Sequence, residues 1–168
     1  MDFNEVYERF KTPVWRLARR LTRDDEEALD TTQEIFLRVW KGLPGFRGEA
    51  RISTWVFQIA WNYLRGYRRK KGRQLQVVSD SLERTTATEA DVRDTAPDPE
   101  RTVASRERFE RLEEALRQLP EHYRVVVWLR DGEDLSYQQI ADVLDVPIGT
   151  VRSRLARARD SLRTMVEQ

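Results

Sequence analysis

The residues best suited to chemistry lie between Leu135 and Arg163, in LSYQQIADVLDVPIGTVRSRLARARDSLR. Two short helical patterns flank a tight turn, and the second carries arginines at 152, 154, 157, 159 and 163. A helix so charged suits the DNA major groove, where a guanidinium binds guanine bidentately for about 1–3 kcal/mol of discrimination. Helical spacing puts Arg152, Ser153, Ala156 and Arg157 on the outward face. Gly149 and Thr150 open the helix and leave its backbone N–H groups free for phosphate. Behind them, Ile140, Ala141 and Leu144 are expected to pack on Val151, Leu155 and Ala158, with the small Ala141 allowing close approach.

A second segment, PGFRGEARISTWVFQIAWNYLRGYRRKKG, lies far upstream. Arg51 to Gly72 holds six basic residues and no acidic one, so its local field attracts phosphate although the whole chain carries only +1. Aromatic rings interleaved with cations suit a single strand, whose bases stack on rings while a basic groove follows the backbone. Trp55 is expected in the core. Phe57 and Trp61 fall off the buried stripe and are candidates for contact. Asn62 is either a satisfied structural amide or a reader of bases; spacing alone does not choose.

Other chemistries are excluded or unsupported. Without cysteine there is no disulfide, thiol catalysis or cysteine-ligated zinc. The one histidine, His122, has no partner of metal-ligand type in sequence, and no phosphate-cradling GxxxxGK[ST] occurs. Carboxylate pairs such as Asp24-Asp25 and Glu113-Glu114 read as solvated helix positions. The chain is therefore expected not to be an enzyme and to need no cofactor or metal. No apolar run is long enough to span a bilayer, and MDFNEVYERF lacks the pattern of a secretory signal, so a cytoplasmic location and no membrane insertion are expected.

Helices must position both segments. Phe3, Val6, Tyr7, Phe10, Val14, Leu17, Ala18 and Leu21 recur at helical spacing, with a kink or restart expected at Pro13. Asp24 and Glu27 resemble a capping box opening a second helix, with Ala28, Ile35, Phe36, Val39, Trp40 and Leu43 inward. Leu43-Pro44-Gly45 stops it. A third helix is expected from about Ser53 to Lys71, with Trp55, Val56, Ile59, Ala60, Tyr63 and Leu64 inward. The stretch 73–102, rich in Thr, Ser, Asp and Pro and net acidic, reads as a flexible linker. Helical periodicity returns near Val103, through Phe109, Leu112, Ala115, Leu116 and Leu119. VVVWL, within His122–Arg130, could pass for a buried strand, but no partner strand exists. Ser136 with Gln139 forms another capping box, and the last helix is expected over Ile148–Met165. With 39% apolar and 35% charged residues in 168, the composition suits two modest helical cores with wide solvated faces. The expected fold is all-α: two small helical domains joined by a flexible linker.

FRGEARISTW followed by Asn62, TTQEIFLRVW, LPEHYRVVVWLR, LSYQQIA and PIGTVRSRLARAR together resemble the extracytoplasmic-function (ECF) sigma factors, group IV of the sigma-70 family of RNA polymerase subunits. The resemblance covers 1–72 and 103–165. It implies that 1–72 is a sigma region 2 helical bundle that binds core RNA polymerase and melts the downstream (−10) promoter element. It likewise implies that 103–168 is a sigma region 4 helix-turn-helix that reads the upstream (−35) element. The upstream contacts would be Thr150, Arg152, Ser153, Ala156 and Arg157. The downstream ones would be Phe46, Arg47, Gly48, Ser53, Thr54, Trp61, Asn62, Arg65, Arg68 and Arg69, with the loop Phe46–Thr54 and Asn62 holding an extruded base. Asp30, Gln33, Glu34, Leu37 and Arg38 would dock on the β′ clamp helices, and the C-terminal domain would touch the β-flap. The implied partners are core RNA polymerase, promoter DNA both duplex and single-stranded, and an anti-sigma factor.

This chain departs from the family pattern at Thr31, where an aliphatic residue is usual, at Trp61, where a basic or small residue is more common, and at Ala156. A linker of this kind spans roughly 30–35 Å on average and about 115 Å drawn out, enough for sites about two duplex turns, roughly 70 Å, apart. Two other functions fit parts of the pattern. A stand-alone duplex-binding regulator would use only the last two helices and leave FRGEARISTW unexplained. An interaction protein would bind a regulator with its DNA surface idle.

Overall fold

The computed structural model describes residues 2–78 and 103–167, with side chains over 2–72 and 106–167. The chain divides into two compact units, within Met1–Val92 and Arg93–Gln168. Of the stretch read as a linker, 79–102 lies outside the described residues, whereas the backbone of 73–78 continues a helix.

The first unit packs three helices against one another: α1 (Phe3–Leu21), α2 (Asp25–Gly42) and α3 (Ile52–Val78). Of the kink or restart expected at Pro13, the restart does not occur: α1 continues as one helix through it. A proline inside a helix costs about 3 kcal/mol. Val6, Phe10, Val14, Leu17 and Ala18 are all buried on one side of α1, and burial of one such large apolar side chain stabilises by roughly 1.5–3 kcal/mol. Packing therefore outweighs the missing hydrogen bond. Trp40, expected inward, is 56% exposed. The inward stripe of α2 is instead Ala28, Thr31, Thr32, Ile35, Phe36 and Val39. Thr31 is thus a core position, and a polar side chain fills a place that an aliphatic one would fit.

Phe57 is also corrected. It is 1% exposed and meets Phe10 edge-on, ring centroids 5.9 Å apart. The inward face of α3 is wide because the helix packs on both α1 and α2, so Val56, Phe57, Ala60 and Leu64 are all buried. A stripe drawn for one partner helix misses the second.

The second unit contains α4 (Val103–Gln118), α5 (Glu121–Val127), α6 (Tyr137–Leu144) and α7 (Ile148–Glu167). VVVWL is helical, and all five side chains are buried. Its end widens into a π-helical turn over Trp128–Gly132 that periodicity does not foretell. Gly132 lies close under the Trp128 ring: a Cβ at that position would come 3.2 Å from Trp128 Cδ1. Arg124 Nη2 donates to the carbonyls of Arg117 and Leu119 at 2.7 and 2.8 Å, satisfying the open end of α4 at the Pro120 corner.

Candidate nucleic-acid interface

In the second unit the capping box forms as expected. Ser136 Oγ accepts from the backbone N–H of Gln139 at 3.2 Å, and Gln139 Oε1 accepts from that of Ser136 at 2.8 Å. α6 ends at Asp145, which takes the left-handed conformation (φ 54°) and lets Val146 N–H reach the Ala141 carbonyl at 3.1 Å. Pro147 then starts α7, its carbonyl accepting from Thr150 and Val151. Ile140, Ala141, Leu144, Val151, Leu155 and Ala158 are all buried where α6 packs on α7.

That packing leaves Arg152, Ser153, Ala156 and Arg157 exposed together on α7, with Thr150 half-buried at its start. Arg159 Nη2 lies 3.2 Å from Asp131 Oδ1 of the π turn, and Arg163 Nη1 lies 4.0 Å from Asp160 Oδ1. The arginines of α7 therefore differ in placement. Arg152 and Arg157 are exposed while Arg154 is half-buried, and Arg159 ties the helix to its own domain.

In the first unit, the loop between α2 and α3 is held by aromatic contact. Phe46 lies 5.1 Å from Trp55, centroid to centroid. Gly42 lets the Trp55 ring come close, since a Cβ there would sit 3.0 Å from Cζ2. Arg47 and Gly48 are exposed, and Gly48 takes φ 75°, a conformation glycine adopts without strain. Ser53 is half-buried. Thr54, expected at the strand interface, is instead 2% exposed, with its hydroxyl inside the protein and unpaired. It can support the loop from within but cannot touch a strand. Trp61 is half-buried, with its indole N–H turned into the protein and lacking an acceptor. Only its ring is available for contact.

Asn62, Arg65, Arg68 and Arg69 are exposed along α3. Asn62 lines an open groove of about 850 Å³ between α2 and α3, with Glu34, Arg38, Tyr63, Tyr67 and Lys70. The Arg38 guanidinium lies 4.9 Å from the Tyr63 ring centroid, and Tyr63 and Tyr67 stack at 6.3 Å. Burial raises both tyrosine pKa values, with Glu34 adding to it at Tyr63. Both hydroxyls therefore keep their protons at neutral pH. Asn62 is thus accessible from solvent.

The opposite face of α2 exposes Leu29, Asp30, Gln33, Leu37, Trp40 and Lys41, with Glu34 and Arg38 beside the groove. Leu29, Leu37 and Trp40 are each about half exposed. Leu29 and Trp40 are missed by a reading that looks only for charge on this helix; three large apolar side chains on one solvated helix are the signal.

Among the described residues, no cluster of three or more His, Cys, Asp or Glu side chains could hold a metal ion. None of the described helices is long and apolar enough to cross a membrane. His122 is exposed, its ring 4.2 Å from that of Tyr123.

Comparison with known proteins gives a consistent picture. Residues 6–74 match the family Sigma-70 region 2, and residues 109–162 match Sigma-70, region 4. The chain is 33% identical over 162 residues to the RNA polymerase sigma-H factor of Pseudomonas aeruginosa, covering 95% of this chain and 83% of that one. It is 31% identical over 166 residues to the ECF RNA polymerase sigma-E factor of Escherichia coli K12, covering 98% and 86%. Among solved structures, the sigma factor RpoE in complex with the anti-sigma factor NepR from Bartonella quintana has the same fold. The TM-score is 0.74 at 22% identity, with 99% of this chain and 97% of that one covered. CnrH, solved in complex with the cytosolic domain of CnrY, aligns with a TM-score of 0.63 at 22% identity, covering 98% and 87%.

Proposed function

The chain belongs to the ECF branch of the sigma-70 family, and we propose that its two basic helices divide the reading of one promoter between them. It is a factor for promoter-specific initiation of transcription by RNA polymerase, and its family is one of initiation factors rather than enzymes. Polymerase supplies the chemistry; this chain supplies address and strand opening, in the cytoplasm with polymerase and DNA.

In this reading 1–72 is the core-binding and −10 domain, and 103–168 the −35 domain. Arg152, Ser153, Ala156 and Arg157 read duplex base edges, and Thr150 and the α7 N-terminus receive phosphate. Phe46, Arg47, Gly48, Ser53 and the Trp61 ring form the rim of a site for an extruded base. Asn62 supplies an amide to its polar edge, and Thr54 supports the loop. Arg65, Arg68 and Arg69 follow the backbone. Asp30, Gln33, Glu34, Leu37 and Arg38, with Leu29 and Trp40, dock on the β′ clamp helices, where apolar residues among charges suit an interface with a desolvated centre and a polar rim. The second unit also touches the β-flap. An anti-sigma factor is a further partner, in line with the neighbour RpoE, solved with the anti-sigma factor NepR.

The observation that carries this reading is the pairing of an exposed Arg152–Arg157 face on a firmly seated α7 with an exposed Asn62 on a basic α3. A duplex-binding regulator has no use for the second. The test is to reconstitute the chain with core RNA polymerase and map transcription starts across a library of templates. Discrete starts absent from core enzyme alone are expected. Identical start profiles with and without the chain would refute the reading.

A further inference from the structure

Glu27 stands in the first turn of α2, its side chain 15% exposed. As a capping residue it would bond the backbone N–H of Asp24; instead its Oε2 accepts that of Arg23 at 2.8 Å. Its other oxygen accepts the Tyr67 hydroxyl and the Lys71 ammonium, both from α3. Lys71 Nζ also lies 3.2 Å from Tyr67 Oη and 5.3 Å from the Tyr67 ring centroid. Arg23 Nη2 is 4.0 Å from the same carboxylate. A residue serving only as a cap needs neither Tyr67 nor Lys71.

The other cations of this part of α3 are placed differently. Arg65, Arg68, Arg69 and Lys70 are exposed, whereas Lys71 is turned toward α2 and is 24% exposed. A phosphate reaching Lys71 would have to displace a largely covered carboxylate and break charge-assisted hydrogen bonds. We infer that Glu27 is a positioning residue for strand engagement. It withholds Lys71 from phosphate and pins the distal part of α3 to α2, so that the strand meets Arg65, Arg68, Arg69 and Lys70 but not Lys71. The inference rests on the reading of α3 as a DNA-facing helix.

The test uses holoenzyme, made from core polymerase and the full chain, and a fluorescent fork-junction DNA with its non-template strand unpaired, from a promoter found by start mapping. Glu27→Gln keeps one carbonyl oxygen, which can still accept from the Arg23 backbone N–H, and places an NH2 that can donate to Tyr67 Oη; it removes the charge that holds Lys71. Freeing one cation for a single strand should steepen the slope of log K against log salt by about 0.7 and tighten binding roughly fivefold at about 0.1 M salt. Lys71→Met alone should leave the slope at the wild-type value, and Lys71→Met added to Glu27→Gln should cancel the gain. A Glu27→Gln slope equal to wild type, or a shallower slope for Lys71→Met alone, overturns the role of Glu27. The second variant reads the same question if the first folds poorly. Wild-type holoenzyme that binds the fork no better than core enzyme would refute the DNA-facing reading of α3 itself.

Discussion

Phe57 and Asn62 sit five positions apart on one helix and should fail in opposite ways. Phe57 fills the core against Phe10, so Phe57→Ala should destabilise the first unit by about 3–5 kcal/mol. Thermal or denaturant unfolding of the full chain measures this. Asn62 is exposed, and Asn62→Ala should change stability by no more than about 0.5 kcal/mol. It should nonetheless impair strand opening, read by permanganate footprinting, more than it impairs polymerase binding. Equal loss of both would point to a fold defect. Arg152→Ala belongs to the same scale. It should relax base choice at one upstream position at a cost of about 1–3 kcal/mol, with its effect lost on templates already changed at that base pair. The arginine spacing on α7 was legible from the chain alone. The interior placement of Phe57 and Thr54 was not, because it depends on two helices packing against α3 at once.

The helix-turn-helix depends on how α6 begins and ends. Its capping box fixes the first turn, and the left-handed Asp145 turns the chain toward Pro147. Ser136→Ala should lower the stability of the second unit by about 1 kcal/mol, seen as a lower melting temperature, and Ser136→Thr should restore most of it. That cap was readable as S-x-x-Q, since capping is a local interaction over three residues. The Asp24–Glu27 cap was only half readable. Asp24 Oδ1 does accept from Glu27 N–H at 2.8 Å, but the Glu27 side chain takes the N–H of Arg23 instead of that of Asp24, and also Tyr67 and Lys71, forty and more residues away in the chain. The π turn at Trp128–Gly132 was not readable either. It holds a buried Trp128 close beside Gly132, an arrangement that leaves no periodic trace.

Each unit buries its own apolar side chains, so the basic surfaces of α3 and α7 rest on separate cores. Substitutions in different units should then act independently. In a double-mutant cycle on open-complex formation, Arg152→Ala and Asn62→Ala should combine additively to within about 0.5 kcal/mol; a larger coupling would mean that the two surfaces communicate. The sequence by itself determined the helical class, the basic composition of α3 and α7, the family, and the outward face of α7. All of these depend on residue type and on spacings within a few turns, where local periodicity dictates geometry. Only the tertiary structure decided that α1 continues as one helix through Pro13, that Phe57 and Thr54 are interior, that Trp40 faces solvent, and that Lys71 is tied to Glu27. Each of those outcomes is a balance between a local preference and contacts with helices distant in the chain, and the energy of such contacts exists only once the helices have met.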